Sequence, residues 1–531
     1  MFLGILLFVF TCWGPLLFSS SEQGKVAVSI GTFENKTENP DLTRLGNLAA
    51  KWITAGLEGT DLFTVATGSA RAVISGELWL KDSEIVFNVY ISDSEDETRK
   101  VSIGPTNGGL DNPLKGIDFL REKVMGALAV MYDPWFSYTD LSGPLPVYAA
   151  YLESLEGAKC FSKFDYRTAI NHFEKAQALD PEFPSPLISQ YWAYGNLGDR
   201  EGCNSVAAKL IQLSPKLGEM DGLQLKLVHA AILGNNFSSL EVMRKIVKLQ
   251  GYSINGYRLG LEAYRANYPL EAVKAFEQQN LDAPFMENWK PAWYGQYSNA
   301  LHMVEDYEKE LEIGRSYAQD YPQYQFAYVI QGRSLVALGR IAEVDALIEK
   351  VTGSKEIGGV PANFVRQMGL EFRRHGYPEL ALKYFEYSIS LLKSMKPEEQ
   401  KNLRTGIFWS YYVADKWDEA EALAKELAQE FPEDITHLGR LGAVAARKGD
   451  VKEAKRIFNL LGETKDPRWI NETRYRQSLI ASILGEKETA VNLIKELLEN
   501  GWDYGPGWYV NTDYEPLRDY EPFKKLFAIK G

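Results

Sequence analysis

The sequence predicts a small α+β amino-terminal domain followed by an all-α solenoid of stacked helix pairs, a superhelix in its long-range form. Three observations carry this. Residues 25–133 alternate short apolar runs of strand period with two amphipathic stretches of helical period. From Ala150 onward, small and aromatic residues recur in one phase every 35 or so residues, the length of a helix-turn-helix repeat. At 531 residues the chain is too long for one compact core, and 45% hydrophobic content excludes a disordered polymer.

In chain order, Met1 to Phe18 is almost wholly apolar, Gly14-Pro15 interrupts it, and the first charge is Glu22. This predicts either a signal peptide, with Ser19 and Ser21 before a cut near Glu22, or a membrane anchor over residues 1–21. No Lys or Arg precedes the run, and Thr11 before Cys12 makes a poor lipoprotein box. The expected location is membrane-anchored, periplasmic or otherwise exported.

Lys25 to Phe33 reads as a first strand, and Leu42, Leu45, Leu48, Ala49, Ile53 and Leu57 as a helix packed on it. Leu62 to Val65 is a short second strand. Ile74–Leu80 and Ile85–Ile91 form a hairpin, with Phe87, Val89 and Ile91 on one face. A helix from Pro113 to Tyr132 closes the domain. Val26-Ala27-Val28, Phe33-Glu34-Asn35-Lys36-Thr37, Ile74-Ser75-Gly76-Glu77-Leu78 and the helix Leu114 to Val130 resemble the TolB amino-terminal-like domain. This chain departs from that family in having only Ala66 to Ala72 where relatives carry a helix. The resemblance implies a domain outside the membrane of a bacterial signalling protein, joined to a repeat array. Some relatives add a winged-helix, kinase or cyclase domain; no such motif occurs here.

Residues 134–149, with Pro134 and Pro146, read as a linker, and 150–500 as the array. In the first unit Gly157, Ala169, Phe173, Ala176 and Pro181 stand at offsets that resemble the tetratricopeptide repeat. Ala169 lets two helices approach, Phe173 and Ala176 fill the space between them, and Pro181 ends the second helix. Turn glycines recur at Gly198, Gly339, Gly376, Gly449 and Gly485. Alanines recur at Ala272, Ala381, Ala420, Ala454 and Ala490, with Phe276, Phe385 and Phe458 four residues after three of them. About nine units result, with Leu217 to Gly251 fitting worst. Residues 501–531 read as a cap: Trp502, Trp508, Tyr509 and Glu515 to Phe523 resemble the tail of the same TolB-like relatives.

In the tetratricopeptide family the second, fifth, ninth and twelfth positions of each first helix line a groove. The resemblance places Tyr257, Leu261, Tyr264, Asn299, His302, Arg333, Arg366, Arg373, Trp409 and Tyr412 there. Three arginines on neighbouring repeats of a chain with 58 basic and 71 acidic residues suggest a cradle for carboxylates or an acidic peptide. The plainer alternatives are arginines paired with Glu on the next helix, and aromatics packed between repeats. The family's clamp for a terminal carboxylate is missing, since Ser154, Ala158 and Ile188 stand at its positions.

No catalytic constellation is legible. His172, His229, His302, His375 and His437 form no His-Glu-x-x-His, and none has a second His or a Cys within ligand spacing. No metal, cofactor or enzymatic activity is expected. The net charge of −13, with no basic block, disfavours nucleic acid. The expected function is a non-catalytic scaffold that binds a protein or peptide partner, attached to the membrane through its apolar amino-terminal segment. The alternative is the outer sensory half of a signalling system that regulates a separate kinase, cyclase or transcription factor. A small ligand at the strand ends of the first domain is a third reading.

Overall fold

The computed structural model describes residues 24–81, 84–109, 112–136, 139–466 and 469–531. The apolar run and the signal or anchor read from it lie outside these. Among the described residues no helix is long and apolar enough to cross a membrane. The chain forms two compact units. One holds the described residues up to Ile232 together with Leu281–Asn288; the other holds Leu233–Asn280 and Trp289–Gly531.

The first unit opens with β1 (Val26–Asn35), α1 (Thr43–Glu58), β2 (Phe63–Val65), β3 (Ala72–Lys81), β4 (Glu84–Asp93), β5 (Lys100–Gly109) and α2 (Pro113–Tyr132). The sheet order is β2-β1-β3-β4-β5; β1 runs parallel to both neighbours, and β3, β4 and β5 are antiparallel. Leu78 sits opposite Phe87 and Ile74 opposite Ile91, so the alternating apolar residues of the hairpin share one face. That face is buried with Ile53, Leu57, Leu120, Val124 and Leu128 from α1 and α2, all fully inaccessible. Trp79 and Tyr90 on the opposite face are exposed. The fifth strand was not assigned from the sequence, and its Gly104-Pro105 and Gly108-Gly109 have the composition of a turn. Pro is tolerated because β5 is an edge strand.

Next come α3 (Tyr148–Ser162), α4 (Tyr166–Leu179), α5 (Ser185–Asn196), α6 (Arg200–Leu213) and α7 (Glu219–Ile232). Within the stretch read as a linker, Phe136 and Leu145 are buried in the same core as the sheet, with Tyr151 and Phe183. Lys123 Nζ and the Val147 amide both donate to Asp180 Oδ2, at 2.7 and 2.9 Å, and Tyr151 Oη donates to Asp133.

The second unit contains α8 (Asn236–Gln250), α9 (Tyr252–Arg265), α10 (Pro269–Glu277), α11 (Lys290–Met303), α12 (Tyr307–Asp320), α13 (Gln325–Ala337), α14 (Ile341–Gly353), α15 (Pro361–Arg374) and α16 (Pro378–Lys393). A short α17 (Pro397–Asn402) precedes α18 (Arg404–Val413), α19 (Trp417–Glu430), α20 (Ile435–Arg447), α21 (Val451–Gly462), α22 (Ile470–Ile483) and α23 (Lys487–Glu499). The chain ends with α24 (Gly507–Val510) and α25 (Glu521–Phe527). The protein is thus an α+β domain followed by a helical solenoid.

The pairing device is the one read from the sequence. Gly339, Gly376, Gly449 and Gly485, and Gly198 in the first unit, all take positive φ in the turn between paired helices. Phe164, Asn267, Glu305 and Asp415 take the same conformation without being glycine, which is why those turns were invisible to a glycine count. Phe173, Phe276 and Phe385 pack on a glycine of their partner helix. A Cβ on Gly157 would lie 2.5 Å from Phe173, and one on Gly369 2.5 Å from Phe385.

Candidate interaction surface

The predicted groove residues lie on α9, α11, α13, α15 and α18, within the second unit's series of first helices α9, α11, α13, α15, α18, α20 and α22. The structure places the chain's own carboxyl-terminal segment against five of them. At its start, Asp503 Oδ1 lies 3.4 Å from Arg265 Nε, and Gly505 sits against the Tyr264 hydroxyl. At its centre, Asp513 accepts from Tyr412 Oη at 2.7 Å and from Arg447 at 2.7 and 3.1 Å; Arg447 also donates to the Thr512 carbonyl. Ser482 Oγ donates to the Asp513 carbonyl at 2.6 Å. Arg373 holds Glu515 by two parallel bonds of 2.9 and 3.1 Å. At the end, Asn267 Nδ2 donates to the Ala528 carbonyl, and the Asn267 carbonyl accepts from the Lys530 amide.

Apolar burial fixes the same segment. Trp508, Tyr514, Leu517, Phe523 and Phe527 are buried with Leu479, Val491, Ile494 and Leu497 of α22 and α23. The segment therefore caps the last pair, as expected of a terminal repeat, and also runs back to α20, α18, α15 and α9. The sequence pointed to the cap alone. What it did contain was an acidic run, Asp513 and Glu515, complementary to the arginines.

The predicted residues sort into three groups. Arg373, Tyr412 and Tyr264 meet the carboxyl-terminal segment. Arg333, Asn299 and His302 form a buried network: Arg333 pairs with Glu310 of α12 and donates to Asn299 Oδ1 at 2.9 Å and Ser298 Oγ at 3.1 Å. His302 Nδ1 is 2.8 Å from Glu310 Oε2. Arg333 is thus paired with a Glu of a neighbouring helix, the plainer of the two sequence readings. Burial alone would raise the Glu310 carboxyl, but Arg333 and His302 hold it below its usual range.

The third group packs or stands unpaired. Tyr257 lies against Phe276 and Trp289, with ring centroids 6.0 and 5.8 Å away, and Leu261 is half-buried. Trp409 packs edge-on to Phe408 and Tyr412 and receives the Arg440 guanidinium 5.8 Å from its ring. Arg366 reaches only Asn363, at 3.5 Å, and has no carboxylate partner among the described residues; burial pushes its guanidinium down to about 10. Arg440, missed in the sequence, has the same character. Burial and then Arg476 push it down to about 10, and it meets His437 and Thr405 but, among the described residues, no carboxylate within ion-pair distance.

A further cluster was hidden by sequence separation. His302, Glu371 and His375 bring one ligand atom each within 4.8 Å of one another. Burial, then the neighbouring Arg374, pushes His375 down to about 4, so its imidazole is neutral. Cys160 and Cys203 are free thiols and half-buried.

No family model matches the chain, and no curated protein matches it. Solved structures similar to it include the Rap protein complexed with competence and sporulation factor, at 10% identity and a TM-score of 0.33, covering 66% of this chain and 97% of that one. The Cut9–Hcn1 heterotetramer of APC/C aligns at 12% identity and 0.25, covering 66% and 87%. The tetratricopeptide domain of P58(IPK) aligns at 11% and 0.18, covering 65% and 98%.

Proposed function

We propose that this chain is a non-catalytic protein-interaction scaffold whose first-helix stripe binds acidic peptide segments. The observation that supports it is the carboxyl-terminal segment itself, an acidic stretch held on that stripe by Arg373, Arg447 and Tyr412. Arg366 and Arg440, on the same series of helices, have no carboxylate partner among the described residues and offer charge to a partner's acidic side chains. In this reading the chain's own segment occupies part of the surface that a partner would use. Binding then requires competition with an intramolecular ligand.

The test uses the full chain with Asp513→Ala and Glu515→Ala, which loosens its own segment, and a fluorescent peptide copying residues 501–531. Saturable binding that disappears on adding Arg373→Glu and Arg447→Glu supports the proposal. Saturable binding indifferent to those two charges overturns it. Export or anchoring through the apolar run before Glu22 belongs to the same reading, as does the resemblance of residues 25–133 to TolB-like domains. Recovery of the chain in the cytoplasmic fraction after cell fractionation contradicts that part.

A further inference from the structure

We propose that His302, Glu371 and His375 form a site for a divalent transition-metal ion, with zinc as the representative case. His302 ends α11, and Glu371 and His375 are one helical turn apart at the end of α15, so two separate helix pairs meet here. Glu371 Oε2 lies 3.9 Å from His302 Nε2 and 3.8 Å from His375 Nε2. A tetrahedral ion with bonds of about 2.1 Å holds adjacent ligand atoms about 3.4 Å apart, so closing the set from separations of up to 4.8 Å takes small side-chain rotations of Glu371 and of the histidines. Two imidazoles and one carboxylate suit zinc and its neighbours rather than calcium or magnesium.

Two independent features point to a ligand. Glu371 Oε2 and His375 Nε2 are buried and make no hydrogen bond, a costly state for polar atoms away from water. Beneath them, the support a metal-binding histidine needs is already built. His302 Nδ1 is bound to Glu310, which leaves Nε2 with its lone pair toward Glu371 and His375. Glu310 is in turn fixed by Arg333, which Asn299 and Ser298 hold. The Tyr307 ring, 5.3 Å from His302 and 5.8 Å from His375 between centroids, walls one side.

The Arg374 guanidinium donates to His302 Nε2 and lies 3.8 Å from Glu371 Oε2. It places positive charge where the ion would sit. The ion must displace this side chain, which is 16% exposed. Metal binding then exchanges an arginine for a coordinate link between the ends of α11 and α15, which makes this a structural staple.

The test titrates the full chain, stripped with a chelator, with cobalt(II) and then zinc(II), following the cobalt absorption and the stoichiometry by calorimetry. The wild type should bind one equivalent, with a cobalt spectrum of nitrogen and oxygen ligation that zinc bleaches. His375→Gln, at the accessible rim, should lose this equivalent while keeping its circular dichroism. Arg374→Met should bind at least about tenfold more tightly, because a like charge has been removed from beside the ion. Equal binding by wild type and His375→Gln, no stoichiometric binding by the wild type, or weaker binding by Arg374→Met overturns the proposal. Binding that appears only in Arg374→Met also overturns it, since the arginine would then own the site in the natural chain.

Discussion

Asp513→Ala removes the centre of the contact between the carboxyl-terminal segment and the repeats. Asp513 is 1% exposed and accepts from both Arg447 and Tyr412 Oη, and the Arg447 side chain is 18% exposed. Truncating the carboxylate leaves a buried guanidinium and a buried phenol facing an apolar gap, which costs about 3 to 5 kcal/mol. Because Arg447 keeps its bond to the Thr512 carbonyl and some exposure to water, the low end applies. The segment is not released, because Trp508, Tyr514, Leu517, Phe523 and Phe527 stay buried, each contributing roughly 1.5–3 kcal/mol. The expected result is therefore easier local opening. A loss of about 3 kcal/mol speeds opening-limited amide exchange by roughly 100-fold. Hydrogen exchange read by mass spectrometry should show this over Thr512–Leu517, with α4 and the sheet unchanged. Arg447→Met combined with Asp513→Leu, which removes both charges, should recover most of the protection. If exchange over Thr512–Leu517 stays within about threefold of wild type in Asp513→Ala, the pair does not hold the segment.

Three further outcomes follow from packing and charge. Gly157→Ala puts a methyl 2.5 Å from the Phe173 ring and should cost about 1–3 kcal/mol in denaturant unfolding, part of it regained by Phe173→Leu. Tyr151→Phe leaves the buried Asp133 without its phenolic donor and should cost about 1–3 kcal/mol, measured in the same way. Burial, and then the neighbouring Asp140, pushes the Asp221 carboxyl up to about 7, so the folded state keeps a proton that the unfolded state has already lost. Stability should therefore fall as pH rises from about 4 to about 7, by on the order of 4 kcal/mol from this group. Asp221→Asn should flatten that slope in pH-dependent thermal melts and raise stability at pH 8; an unchanged slope refutes the assignment.

The solenoid was legible because one packing problem recurs. Ala169 and Phe173, Ala272 and Phe276, and Ala381 and Phe385 are all buried, and each phenylalanine presses on a glycine of the partner helix. The edge strand β5 was not, because Gly and Pro in that strand mimic a turn. The stripe residues were found by position, but their partners were not. Position says which face a side chain shares, whereas Arg333 finds Glu310 on a different helix and Arg373 finds Glu515 far along the chain. The His302–Glu371–His375 cluster was missed for the same reason: ligand spacing in sequence detects sites within one element, and this one joins two.

The most direct test of the central claim, that arginine–carboxylate pairs hold the acidic segment on the first helices, is a charge-reversal cycle on Arg373 and Glu515. Their bidentate bond is 25% and 30% exposed at the two side chains, so each reversal can be tolerated by the fold. Arg373→Glu and Glu515→Arg should each increase protease cleavage between residues 500 and 520. The double variant, with the charges exchanged, should bring cleavage back toward wild type, a coupling of about 1 kcal/mol or more. A double variant as susceptible as the sum of the two singles would contradict the account, because the segment would then lie on the repeats through its apolar anchors alone.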